Sequence, residues 1–162
     1  MPVSAYHHIA LRVSDIDRTT QFYLDALGGH LLTSQMVYEG SDAGMIMGMP
    51  NAHFKVCLIG FDEGAIELFQ FLEPLHEVPP TAQAEAPIIH FCFTVDNVGE
   101  YLERVEAAGG KRFWPEVMDM PGDFQVVYVT DPDGHVFELI DVDAPELIKR
   151  LIAADPNNAP SS

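Results

Sequence analysis

From His8 to Val13 apolar and polar positions alternate, with Ile9, Leu11 and Val13 on one side and His8, Ala10 and Arg12 on the other. That is the period of a strand covered on one face. From Asp17 to Leu27 the spacing lengthens to that of an amphipathic helix, closed by Gly28-Gly29, where a left-handed cap is readily adopted. A strand is expected from His30 to Val37, and a hairpin follows: an alternating strand from Phe54, a turn at Phe61 to Gly64, and a strand carrying Glu67. The same order recurs from His90, 82 residues after His8, with a helix over Val98 to Ala108, Gly109-Gly110, a strand start at Lys111 to Trp114, and a hairpin through Phe124, Gly134 and Glu138. Such self-similarity predicts an α+β fold of two tandem βαβββ modules, with the apolar strand faces covered by helices.

The expected division is a single domain over 1–143, with module one at 5–73, a Pro-rich linker at 74–86 and module two at 87–143. Residues 144–162 read as a short helix and a disordered tail. The Gly- and Met-rich stretch from Glu39 to Ala52 interrupts module one as a connecting loop or a lid.

Composition narrows the functional classes. The 162 residues carry 25 Asp and Glu against 8 Lys and Arg, a net charge of -17, which disfavours nucleic acid and anionic membranes as partners. No leader-like or membrane-length apolar run is present, so the expectation is a cytoplasmic protein acting on a small molecule. Cys57 and Cys92, both inside apolar runs, read as small core residues.

The repeat also selects chemistry. Parity places His8 rather than His7 on the inner face of its strand, and His90 takes the matching place before Phe91 and Phe93. Glu67 and Glu138 follow the two hairpin turns equivalently. Two His and two Glu at repeat-related positions are expected to converge on one divalent ion, Ni, Zn, Mn, Co or Fe, and the donors alone do not choose among these. Gln70 falls on the opposite face from Glu67, and His7, His30, His53, His76 and His135 have no repeat-related support and read as surface or turn residues. Trp114, Met118, Met120 and Phe124 are candidates for an apolar substrate pocket, with Tyr128 beside them.

In these segments the chain resembles the vicinal oxygen chelate superfamily, which includes glyoxalase I, methylmalonyl-coenzyme A epimerase, resistance proteins and extradiol dioxygenases. The resemblance runs from Tyr6 to Asp143 and is carried by His7-His8-Ile9-Ala10-Leu11-Arg12-Val13, Ile66-Glu67-Leu68, Ile89-His90-Phe91, and Thr130-Asp131-Pro132-Asp133-Gly134 followed by Phe137-Glu138-Leu139. It implies a metal-dependent lyase or isomerase that stabilises an enolate-like intermediate, with His8, Glu67, His90 and Glu138 as ligands and Glu138, or else Glu67, moving a proton. Arg12 matches an arginine that glyoxalase I uses for glutathione, whereas Phe71 departs from the amide residue found there. The resemblance leaves open an Fe(II) extradiol dioxygenase and a non-catalytic protein that binds an aromatic or drug-like ligand. It also implies that the two modules form a cup-shaped mixed sheet with helices on its outer face, and that the protein is a homodimer.

Overall fold

The computed structural model describes residues 6–40, 42–74 and 86–154. The linker expected at 74–86 lies outside the described residues except at its ends, as do the expected tail from 155 onward and His76. In module one, β1 (His8–Arg12) lies parallel to β5 (Ala65–Glu73) with Ile9 opposite Ile66. In module two, β6 (Phe91–Thr94) lies parallel to β10 (Val136–Ile140) with Phe91 opposite Phe137. These are the repeat-related pairs, so the duplication extends to strand register. Each module continues through an antiparallel partner, β4 (His53–Gly60) on β5 and β9 (Phe124–Thr130) on β10.

The strand expected from His30 to Val37 is broken into β2 (His30–Leu31) and β3 (Met36–Glu39), both paired with β4. The break has a local cause: the Leu58 amide donates to the Thr33 hydroxyl at 3.1 Å, so a side chain has taken over a ladder position. Its counterpart breaks likewise into β7 (Lys111–Arg112) and β8 (Met118–Met120), both on β9, and Pro115 between them has no N–H to offer a ladder. Two five-stranded mixed sheets result, one per module. α1 (Ile16–Leu27) and α3 (Val98–Ala107) follow the first strands, α2 (Asp42–Ile46) occupies the Glu39 to Ala52 loop, and α4 (Ala144–Ala154) follows β10. Among the described residues no helix is long and apolar enough to cross a membrane.

The ends of α1 show why it starts and stops where it does. The Asp15 carboxylate accepts from the amides of Asp17 and Arg18, satisfying two otherwise unpaired donors, and Gly28 closes the helix at φ 68°. The second glycine of each pair serves a different purpose. A Cβ on Gly110 would stand 2.6 Å from the Thr130 carbonyl oxygen and 2.9 Å from the Phe22 ring, so this glycine lets module two approach α1 of module one.

One continuous core joins the modules. Leu11, Phe22, Tyr23, Ile66 and Leu68 from the first half pack with Val98, Val105, Phe137 and Leu139 from the second, and α1 packs on α3. α1, α3 and the apolar strand faces therefore lie between the two sheets, whereas Leu147 of α4 packs on Val126 and Ile140. By strand alternation, the faces that bear His8, Glu67, His90 and Glu138 point away from this shared core, on opposite sides of the molecule.

A polar network runs alongside the core. Asp131, 2% exposed, accepts from the Tyr23 hydroxyl at 2.9 Å and from His135 Nδ1 at 2.8 Å. Asp133 accepts from the Ser14 amide, the Arg18 guanidinium and the Thr19 hydroxyl, all in module one. His135, expected at the surface, is thus a tether, and it also bonds the Arg12 backbone. Burial works against its positive charge, but the hydrogen bond and charge of Asp131 prevail and its pKa is raised. Burial pushes Asp133 up, and the hydrogen bonds from Ser14 and Thr19 more than offset it, leaving its pKa lowered.

The signs give a pH window. The stability that His135 contributes is complete below its ordinary value of 6.5 and is lost as pH rises through the raised one. The Asp133 contribution is complete above 3.8 and is lost as pH falls through the lowered value. Thermal melts across pH should therefore show a decline as pH rises from 6.5 that flattens in His135→Gln; an unchanged slope in that variant would remove the assignment.

Candidate metal centre

In module one, His8 begins β1 and Glu67 lies near the start of β5, opposite Ala10. Their side chains meet with His8 Nε2 3.6 Å from Glu67 Oε2. The other ring nitrogen, Nδ1, is 2.7 Å from His7 Nδ1. A single proton between these nitrogens fixes the His8 tautomer, and if His8 carries it, Nε2 presents its lone pair to the Glu67 side. In the sequence His7 reads as a surface residue, and its adjacency to His8 is the one signal of a supporting role. Gln70 is turned to the helix side, where it accepts from the Ile16 amide and donates to the Ser14 carbonyl. It braces the turn into α1.

In module two, His90 immediately precedes β6, and its Nε2 is 3.5 Å from Glu138 Oε2. Its Nδ1 is buried without a hydrogen-bond partner. Tyr128, opposite Glu138 in the sheet, stands edge-on to the His90 ring at 5.0 Å. Burial first, and then the Glu138 charge, raise the Tyr128 hydroxyl pKa and keep it protonated. Cys92 is also opposite Glu138 and is exposed on this face, unlike the buried Cys57. The expectation of a core residue is corrected by parity: the core takes Phe91 and Phe93, and Cys92 shares the side of His90. Local desolvation and the Glu138 carboxylate push its thiol up to about 12, so it stays a neutral thiol.

Within one chain the four donors do not converge. Among the described residues no group of three or more His, Cys, Asp or Glu side chains is placed to hold an ion. The reason is the packing described above, which seats α1 and α3 between the sheets and sends each His–Glu pair outward. Each pair still has the form of half a metal site. Separations of 3.5 and 3.6 Å are longer than the ~2.7–2.9 Å of a charge-assisted hydrogen bond, and they suit two donors that each reach about 2.1 Å to one ion.

The outward faces differ between the modules. On module one, Phe54 is buried in an aromatic cluster with Tyr38, Phe69 and Phe71, and the Arg12 guanidinium lies 5.8 Å over the Phe71 ring. On module two the corresponding surface opens into a cavity of about 540 Å³ that reaches from His90 and Tyr128 to Trp114 and Met118. Phe124, expected with them, packs instead with Val126, Ile140, Val142 and Leu147 beside α4. Met120 is not among the residues lining the cavity.

The sequence model of the Glyoxalase/Bleomycin resistance protein/Dioxygenase superfamily matches residues 5–139. The chain belongs to this superfamily. Superfamily relatives include a probable chloroplastic lactoylglutathione lyase of Arabidopsis thaliana, 30% identical over 139 residues, 83% of this chain and 35% of that protein. Biphenyl-2,3-diol 1,2-dioxygenase 3 of Rhodococcus globerulus is 26% identical over 132 residues, 82% of this chain and 60% of that one. The lactoylglutathione lyase of Haemophilus influenzae is 29% identical over 139 residues and is matched over 90% of its length. The chain thus spans about a third of the first relative, 60% of the second and 90% of the third. A crystal structure of a superfamily member, a glyoxalase family protein of Bacillus cereus, aligns with TM-score 0.76 at 18% identity over 87% of this chain and 95% of that one, which shows the shared fold.

Proposed function

We propose that the protein is a metal-dependent lyase or isomerase of glyoxalase type, working as a homodimer on a small molecule. His8 and Glu67 of one chain and His90 and Glu138 of the other hold one divalent ion. The observation that carries this reading is the pair of repeat-related His–Glu half-sites, each with two donors at metal-sharing distance and each facing outward. A two-fold dimer brings the module-one face of one copy to the module-two face of the other and completes two sites at once.

When bound, the ion acts as a Lewis acid that stabilises negative charge on neighbouring substrate oxygens. The side chains supply the rest. Glu138, the less exposed of the two carboxylates at 16% against 23% for Glu67, takes the proton from a carbon next to the carbonyl. The protonated Tyr128 hydroxyl beside it is a donor that holds the carboxylate's orientation. Ni, Zn, Mn, Co and Fe all suit the two-His, two-Glu set.

Metal titration with elemental analysis tests the reading. One tight ion per chain is expected, and His90→Ala should lower affinity by more than the roughly hundredfold that follows removal of a ligand's supporting hydrogen bond alone. Tight binding unaffected by both His90→Ala and His8→Ala would overturn it. The match to a biphenyl-diol dioxygenase and the position of Tyr128 beside His90 favour a second reading, an Fe(II) ring-cleaving dioxygenase. Oxygen uptake with catechols after anaerobic iron loading would replace the first reading with this one.

A further inference from the structure

The cavity on module two is almost wholly apolar. Ile89, Phe113, Trp114 and Met118 form its walls, and its polar groups are His90, Glu116 and the Tyr128 hydroxyl. None of the described lining residues is Lys or Arg. The nearest cation in sequence, Arg112, is engaged elsewhere, with both ends of its guanidinium on the Glu106 carboxylate at 2.7 and 3.1 Å and a third bond to the Pro115 carbonyl.

A volume of about 540 Å³ is far larger than a few waters need and is ample for one fused bicyclic ring. Flat aromatic and sulfur-bearing walls favour such a ring over an aliphatic chain through edge and stacking contacts. The charge pattern then discriminates. An anionic group in this space would lie against apolar walls and beside Glu116 with no lining cation to pair it, inside a molecule of net charge -17.

We infer that this cavity is a charge-selective aryl subsite: it seats an aromatic group that bears no negative charge, one end of the ring against Trp114 and Met118 and the other toward His90 and Tyr128. The inference rests on the proposed function in one respect, since it makes the ring a group adjoining the part of the substrate that meets the His90–Glu138 pair. It also selects against substrates that present carboxylates to this side of the site. Any carboxylate would have to be met from the module-one side, where Arg12 lies.

Trp114 is the single tryptophan, so its indole N–H gives one side-chain signal in a nitrogen-15-labelled spectrum and reports directly on the cavity. The full chain is treated with EDTA and titrated with 2-naphthol, neutral at pH 7, and with naphthalene-2-sulfonate, the same ring with a fixed negative charge. Saturable movement of the Trp114 signal by 2-naphthol is expected, with the sulfonate at least roughly tenfold weaker. Glu116→Gln should narrow that gap, and Met118→Glu, at an exposed wall position, should weaken 2-naphthol binding by a similar factor.

Equal binding of the two probes would overturn the charge selection. A Trp114 signal that neither probe moves would overturn the subsite, and that is the result if a second copy of the chain fills the cavity. With EDTA present these readings do not depend on metal. Failure of the metal proposal would show only in the metal titration and leave the Trp114 shifts unchanged.

Discussion

Chains carrying His8→Ala and chains carrying His90→Ala should each bind no tight metal alone, yet recover about a quarter of the wild-type sites when co-expressed in equal amounts. The fraction follows from the symmetry of a two-fold dimer. About half of randomly paired dimers contain one chain of each kind. In such a dimer one site combines both substitutions, and the other combines an intact His8–Glu67 pair with an intact His90–Glu138 pair. Elemental analysis of the mixed and the separate preparations measures the recovery. No recovery from a mixture shown to contain the hybrid dimer would mean that the donors are not shared between chains. The expectation derives from the outward direction of the two pairs, which share a chain but not a face.

Asp131→Ala should cost about 3–5 kcal/mol, the range for breaking a buried polar network by removing one partner. The carboxylate holds the fully buried Tyr23 hydroxyl, the His135 ring and the backbone amides of Asp133 and His135, at distances of 2.8 to 2.9 Å. Its removal strands all four donors. Tyr23→Phe, which removes one bond and keeps the ring, should cost only about 1 kcal/mol. Urea denaturation of the two variants decides the matter. A loss below roughly 1 kcal/mol for Asp131→Ala would show that water replaces the carboxylate at no great penalty.

Much of the fold was legible because each module repeats a local pattern. Alternation over Ile9, Leu11 and Val13, the cap at Gly28, and the two hairpin turns are properties of short segments. Parity likewise distinguished Gln70, which turns to the Ser14–Ile16 bend, from Glu67, which faces outward with His8. What stayed hidden depends on contacts between distant segments. Alternation tells which residues share a strand face and is silent on which face meets the other module. That choice is made by the approach of Gly110 to Phe22 and by the bonds of Asp131 and Asp133 to α1 and the turn before it. A four-donor centre within one chain was therefore a natural expectation from the strands, and the packing between modules divides it. The strand breaks at Thr33 and Pro115 and the tether at His135 were missed because each is one polar or cyclic side chain within an otherwise regular stretch.

The tether between modules also sets an order of events during synthesis. Ser14 bonds to Asp133 across 119 positions of chain, and Phe22 and Tyr23 pack on Phe137. Contacts this far apart in sequence slow the search for the native state. While a ribosome is still making the second half, the first helix has neither its aromatic cover nor its carboxylate acceptors. An unfinished chain thus presents a greasy helical face for the whole interval, and aggregation or chaperone capture competes with folding until the final hairpin emerges.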